Sequence, residues 1–246
     1  MSVEQLVLLG LISTLAQAVQ TAAGFGAMLV CVTLGAHVMS IPEVLTLTIP
    51  LAVLQALYIV TRHRADIDRR LLLTRVLPLM GVGFAFALIY LDGVADERLR
   101  AGFAALILAL GSLELAKTFR AQTQPRRPAS PLISAAALLG SGVTQGVYAS
   151  GGPLLSYALE RAQLGKLVFR VSATAVFLLL NGLLGVKLAL EGRYDASALT
   201  AALLMLPSVP LGLWLGELLH RRVSERRFRQ LVYALLICAA LGLLLR

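Results

Sequence analysis

"GVTQGVYASGGPLL", residues 142–155, places four glycines, a glutamine, a threonine, a serine and a proline in the middle of an apolar run. A membrane helix has no use for most of them. "QTAAGFGAML", residues 20–29, is a looser copy in the first half of the chain. Non-helical backbone at membrane depth exposes N–H and C=O groups, each costing several kcal/mol unless it is buried in protein or lines a wet cavity. Glycine permits turn conformations, and proline suits the first turn of a new helix. "ASGGP" (149–153) and "AGFGA" (23–27) therefore read as two helix breaks, each followed by a helix start. A helix that starts in mid-membrane presents free N–H groups and the positive end of its dipole, which suits an anion.

The surrounding chain fits a membrane setting. Of 246 residues, 58% are hydrophobic and only 14% charged, against about 25% charged in a soluble domain. Mean hydropathy is +0.83. Eight hydrophobic segments lie at roughly 4–36, 43–61, 71–91, 98–118, 131–159, 168–190, 196–219 and 229–245, and a spanning helix needs about 20 residues. The expected class is an all-α polytopic membrane protein. The first residues, "MSVEQLVLLG", read as the edge of the first helix rather than a removable signal, having no positive n-region.

One polar, proline-bearing linker, residues 120–130, falls at the midpoint and divides a first repeat (1–119) from a second (131–246). A shift of 129 lays Pro78 on Pro207 and Gly83 on Gly212 within "LPLMGVG" and "LPSVPLG". A shift of 126 lays Thr48 on Thr174, Gln55 on Asn181 and Gly26 on Gly152, and one of 125 lays Gln20 on Gln145. Leucine and alanine align by chance in apolar sequence; proline, arginine and amide positions in the same order do so far less readily.

Charge sets the orientation. Connectors 62–75, 117–127 and 220–229 are basic, while "LDGVADE" (91–97) is acidic, so the basic connectors belong on the cytoplasmic side. All three share that side if segments 1 and 5 enter and leave the membrane on one face. Each half is then a broken, re-entrant element plus three crossing helices, and the halves are inverted repeats. Eight full crossings with parallel halves are the alternative.

The candidate substrate-binding residues cluster at the breaks and on the helices that follow. They are Gln20, Thr21, Gly24, Phe25 and Gly26 in the first break, and Gln145, Tyr148, Ser150, Gly151 and Gly152 in the second. Thr48 and Gln55, seven residues apart, share a helix face, as do Thr174 and Asn181. Amides and hydroxyls can donate to an oxyanion without a buried charge. Arg170 reads as a cytoplasmic-surface residue of the positive-inside kind, and Glu217 as reaching the interface.

Other classes fit poorly. Net charge is +9, but the basic residues sit in connectors without the aromatic interleaving of nucleic-acid binders. His37, His63 and His220 lie in connectors with no metal-ligand spacing, and Cys31 and Cys238 read as small packing residues. An intramembrane protease would need a histidine in a membrane segment beside its serine; none is there, and no HExxH occurs. No cofactor is implied. A non-transporting membrane scaffold is the remaining alternative, and it needs no wet central cavity.

Two halves of about four segments, each opening on a glycine-rich stretch, with duplicated "LP…G" in segments 3 and 7, resemble the sulfite exporter TauE/SafE family, also called TSUP. The resemblance covers essentially the whole chain. It implies a carrier of a small sulfur-containing anion, sulfite or an organosulfonate such as sulfoacetate or taurine, or of another small organic anion. It also implies the bacterial inner membrane and contact with lipid. The first half departs from the family's glycine run and proline, having Gly24-Phe25-Gly26-Ala27 instead. Without an ATP-binding motif, uphill flux would need a coupling proton or sodium ion or the membrane potential. Import or export, and a homodimeric state, stay open.

Overall fold

The computed structural model describes residues 2–91, 93–119, 130–159, 164–222 and 225–244. All but the last residue of the expected linker 120–130 lies outside them. Every regular element among the described residues is helical. The first half contains α1 (Val3–Ala23), α2 (Ala27–Gly35), α3 (Ile41–Arg62), α4 (Arg69–Leu71), α5 (Leu77–Tyr90) and α6 (Asp96–Phe119). The second contains α7 (Pro131–Tyr148), α8 (Gly152–Leu159), α9 (Lys166–Leu190), α10 (Ala196–Met205), α11 (Ser208–Arg222) and α12 (Glu225–Leu244).

Local sequence explains most of the boundaries. Ser2 and Ser40 start α1 and α3 with capping boxes completed by Gln5 and Glu43. Ser130 and Asp195 cap α7 and α10 by accepting from backbone N–H groups three residues on. A π-helical turn at Leu72–Val76 joins α4 to α5 just before Pro78, whose ring cannot continue an undisturbed ladder. Its counterpart Pro207 falls at the junction of α10 and α11.

Among the described residues, six helices are long and apolar enough to cross a membrane: Val3–Ala23, Ile41–Arg62, Arg69–Tyr90, Asp96–Ala116, Leu167–Leu190 and Ala196–Leu219. The expected segment 131–159 is divided into α7 and α8, and the apolar part of α12 is Gln230–Leu244. Large apolar side chains stay exposed on outer faces, among them Leu11, Val82, Ile89, Leu183 and Leu203. Such faces suit lipid and would be a liability in water.

The first segment folds back on itself. Gly24 and Gly26 adopt φ of 87° and 105°, the left-handed region that glycine tolerates. The chain reverses there, and α2 packs along α1. Gly35 then lies against Leu9, and the Gln5 side-chain amide donates to Val38 O at 3.3 Å. The second segment repeats the pattern, with α8 packed back on α7.

The halves interlock through the broken helices. Ser13, Gln17 and Thr21 of α1 meet Ser208, Gly212 and Gly216 of α11 in that order, so the two run parallel. Gly142 and Gly146 of α7 likewise meet Met80 and then Phe84 and Ala87 of α5. A Cβ on Gly212 would lie 3.0 Å from Thr14 O and 3.2 Å from Ala18 N. A Cβ on Gly83 would lie 2.1 Å from Leu139 O and 3.0 Å from Val143 N. The sequence shifts of 129 and 125 interchange these two contacts. Absent side chains allow backbones to approach closely, the usual source of helix association in lipid. Helices α3 with α9, and α6 with α12, complete the bundle.

Candidate functional site

The two breaks meet at the centre of the bundle. Gln20, Gly26, Met28 and Leu29 from the first, Ala149, Ser150, Gly152 and Pro153 from the second, and Phe177 and Asn181 of α9 line one small cavity. About 10 Å³ of it is open to the centre of a water, roughly one water's worth. None of these lining residues carries a charge.

Side chains pair much of the second break's backbone. Gly151 N–H donates to Gln145 Oε1 at 2.9 Å, and Ser141 Oγ donates to Gly151 O at 2.7 Å. Gln145 uses its other end to donate to Asn181 Oδ1 at 2.6 Å. That chain of bonds ties the break to α9 and fixes the Asn181 amide at the cavity wall. Ser150 is only 5% exposed, and its Oγ has no partner. A buried hydroxyl left unpaired costs about 1–3 kcal/mol, so a ligand that accepts from it recovers a real penalty.

In the first break Gly24 N–H returns to Gln20 O at 2.7 Å, and Gly26 begins α2 with no side-chain cap. The first-turn N–H groups of α2 thus have no intrahelical acceptor. Both helix starts, α2 and α8, border the same cavity, and their positive ends favour an anion there.

Of the residues expected at the site, Gln20, Gly26, Ser150, Gly152 and Asn181 line the cavity. Gln145 and Gly151 stand directly behind it, in the network that holds the break. Phe25 packs over Gly152, whose Cβ position is 2.8 Å from Phe25 Cδ2. Gly24 abuts Arg170 of α9. Thr48 and Thr174 donate back to Val44 O and Arg170 O within their own helices, Thr174 also reaching Gly24 O at 3.5 Å. Gln55 donates to Gln17 O at 2.7 Å and to Thr21 Oγ1 at 2.8 Å, which turns it toward α1. Tyr148 packs against Phe103 of α6 with ring centroids 4.7 Å apart and planes tilted by 43°.

One local expectation is corrected. The residue with left-handed backbone in the second break is Ala149, at φ 52°, and neither Gly151 nor Gly152 has positive φ. Those two glycines answer to space: a Cβ on Gly151 would sit 2.4 Å from Ser141 O. Met28, Leu29, Ala149 and Phe177 were not anticipated. Phe177 lies one helical turn before Asn181, so helix periodicity alone would have brought it in. Left-handed backbone is strained for a residue with a Cβ and worse for a branched one. Ala149→Val is expected to destabilise the protein by about 1–3 kcal/mol, read as a lower thermal midpoint in detergent, while Ala149→Gly is tolerated. Equal midpoints for both variants would contradict the strained geometry.

A helical bundle with apolar outer faces and helices long enough to cross a membrane is that of a polytopic membrane protein. The sulfite exporter TauE/SafE family matches residues 9–243, and the chain belongs to that family. Membership makes it a multi-pass membrane transporter. No curated protein and no solved structure matches the chain.

Proposed function

We propose that the chain is a secondary transporter of a small sulfur-containing anion, sulfite or an organosulfonate such as sulfoacetate or taurine, bound at the membrane midplane between the two broken helices. The observation that carries this reading is the central cavity, where two helix starts meet the buried, unpartnered hydroxyl of Ser150. Backbone N–H groups, Ser150 and the amides of Gln20 and Asn181 supply hydrogen bonds. An anion so held can leave, because no fixed lysine or arginine grips it in the cavity. The cavity is too small for sulfite as it stands, so binding requires the breaks to part. The structure then corresponds to a closed state of an alternating-access cycle.

Flux of labelled sulfite, sulfoacetate and taurine into proteoliposomes, with and without a proton or sodium gradient, tests the reading. At least one of them is expected to move faster than in empty liposomes. Ser150→Ala is expected to raise the half-saturating concentration about tenfold, the loss of a hydrogen bond to a charged group. No flux of any of the three would remove the proposal.

The inverted-repeat arrangement belongs to the same proposal, as do the repeat boundaries 1–119 and 131–246 and the bacterial inner membrane. The return of Val38 to Gln5 and the interchangeable contacts of Gly83 and Gly212 support it. In this topology the ends of α3, α6 and α11 share the cytoplasmic side. Single cysteines at Ala65, Ser130 and Arg222 are expected to react with an impermeant thiol reagent from the cytoplasm, and those at Gly93 and Gly192 from the opposite side. Reaction of the Arg222 position from the opposite side would favour eight full crossings.

A further inference from the structure

The two breaks differ in one respect that their equivalence does not explain. Under the shift of 126 that lays Gly26 on Gly152, Phe25 falls on Gly151 and Arg170 on Val44. The first break therefore carries Phe25 at its tip with Arg170 beside it, where the same shift puts Gly151 and Val44 in the second.

Phe25 is buried between two partners. One edge covers Gly152 at the cavity wall. The other meets the ring of Phe169 edge-on, with centroids 6.5 Å apart and planes at 80°. Arg170 follows Phe169 on α9, near the end of that helix remote from Asn181. It packs so closely on the break that a Cβ on Gly24 would lie 2.9 Å from both its Cα and its Cγ. Phe25 thus links the cavity wall at Gly152 to Phe169, the residue before Arg170.

Arg170 is half-buried, and its Nε–H is buried without an acceptor. A purely structural arginine in lipid would be expected to satisfy that donor. Glu217 on α11 acts on it electrostatically. Glu217 follows Gly216, whose Cβ position is 2.5 Å from Thr21 Cβ, so this part of α11 lies at the same end of the first break.

We propose that Arg170 is an anion-receiving position outside the central cavity, on the cytoplasmic side of Phe25, where an oxyanion binds the guanidinium and takes up its unpartnered Nε–H before Phe25 moves aside. The ligand class is a small sulfonate or sulfite-like oxyanion, whose planar pair of oxygens fits the guanidinium fork. The inference rests on the transporter reading above and gives it a point of entry. A structural arginine and a receiving site differ in whether a free anion competes for the guanidinium. At a structural arginine, an added sulfonate leaves the local potential unchanged. At a receiving site the sulfonate occupies the guanidinium and lowers the local potential, and only while Arg170 is present.

The test reads local potential and needs no knowledge of the substrate. In a background with Cys31→Ala and Cys238→Ala, Phe25→Cys places a thiol next to Gly24, the residue on which Arg170 packs. Its reaction rates with a negatively and a positively charged methanethiosulfonate, applied from the cytoplasmic side, give a ratio. Methanesulfonate, a small inert sulfonate, is expected to lower that ratio about threefold in the parent and in Arg170→Lys and to leave it unchanged in Arg170→Gln. A ratio that methanesulfonate leaves unchanged in the parent, or lowers equally in Arg170→Gln, overturns the proposal. If Arg170→Gln fails to insert, the parent decides: a ratio lowered by methanesulfonate supports the site, and an unchanged one overturns it. A chain that moves no sulfur anion but shows these shifts loses the transporter reading and keeps the anion-receiving position. A chain that transports sulfite without them loses only the receiving position.

Discussion

Gly152→Leu is expected to reduce sulfite flux to the level of empty liposomes while the protein remains inserted and folded. A Cβ at this position already lies 2.8 Å from Phe25 Cδ2 and 3.2 Å from Phe25 Cβ. The remaining leucine carbons must enter a cavity with room for about one water. Overpacking of this kind costs about 1–3 kcal/mol, which a bundle of this size can absorb. The anion, however, loses the space between the two helix starts. Gly26→Leu meets Val19 at 3.3 Å from a backbone at φ 105° and is expected to act in the same direction. Gly182→Leu is the control: it neighbours Asn181 in sequence, yet nothing lies within 4 Å of its Cβ position. Normal flux through both Gly152→Leu and Gly26→Leu would mean that these glycines serve packing alone.

The second large effect is expected at Asn181. Its Oδ1 accepts from Gln145, so its amide N–H₂ is the part left to face the cavity. Asn181→Ala removes that donor and frees Gln145, costing roughly 1.5–3 kcal/mol, or one to two decades in affinity. Asn181→Asp keeps the acceptor for Gln145 but replaces the donor with a negative charge. It is expected to weaken anion binding more than alanine does, because like charges in a low-dielectric site repel strongly. Sulfite binding to the purified variants, measured above the carboxylate's pKa, checks the order wild type, alanine, aspartate. Wild-type affinity in Asn181→Asp would remove the anion from this wall of the cavity.

The positions of both breaks were legible because glycine clusters in an apolar run have few other uses, and Gln20, Gly26, Ser150, Gly152 and Asn181 all came to one cavity. The caps at Ser2, Ser40 and Ser130, on which the sequence reading made no expectation, follow ordinary capping rules. Ala149 was not legible, since nothing in an alanine announces left-handed backbone. The different fates of Gln55 and Asn181 were also hidden. They occupy equivalent positions, but glutamine is one methylene longer and reaches Gln17 O and Thr21 Oγ1, while asparagine stops at the cavity wall. Likewise Gln145 is committed to Gly151 and Asn181, whereas Gln20 remains at the cavity. Duplication suggested symmetric roles; side-chain reach broke the symmetry. Of the four glycines in "GVTQGVYASGGPLL", Gly142 and Gly146 serve contact with α5, Gly151 makes room for Ser141, and Gly152 makes room for Phe25.

The most direct test of an anion held between the two broken helices is to see one there. Selenite has the shape and charge of sulfite and scatters anomalously. In crystals of the protein grown with selenite, the selenium is expected between Gly26 and Ser150, with its oxygens in hydrogen-bond reach of Ser150 Oγ and the Asn181 amide. Ser150→Ala is expected to weaken that peak, and Asn181→Asp to remove it. Selenium bound elsewhere while the cavity between the breaks stays empty, in protein that still transports sulfite, would contradict the account.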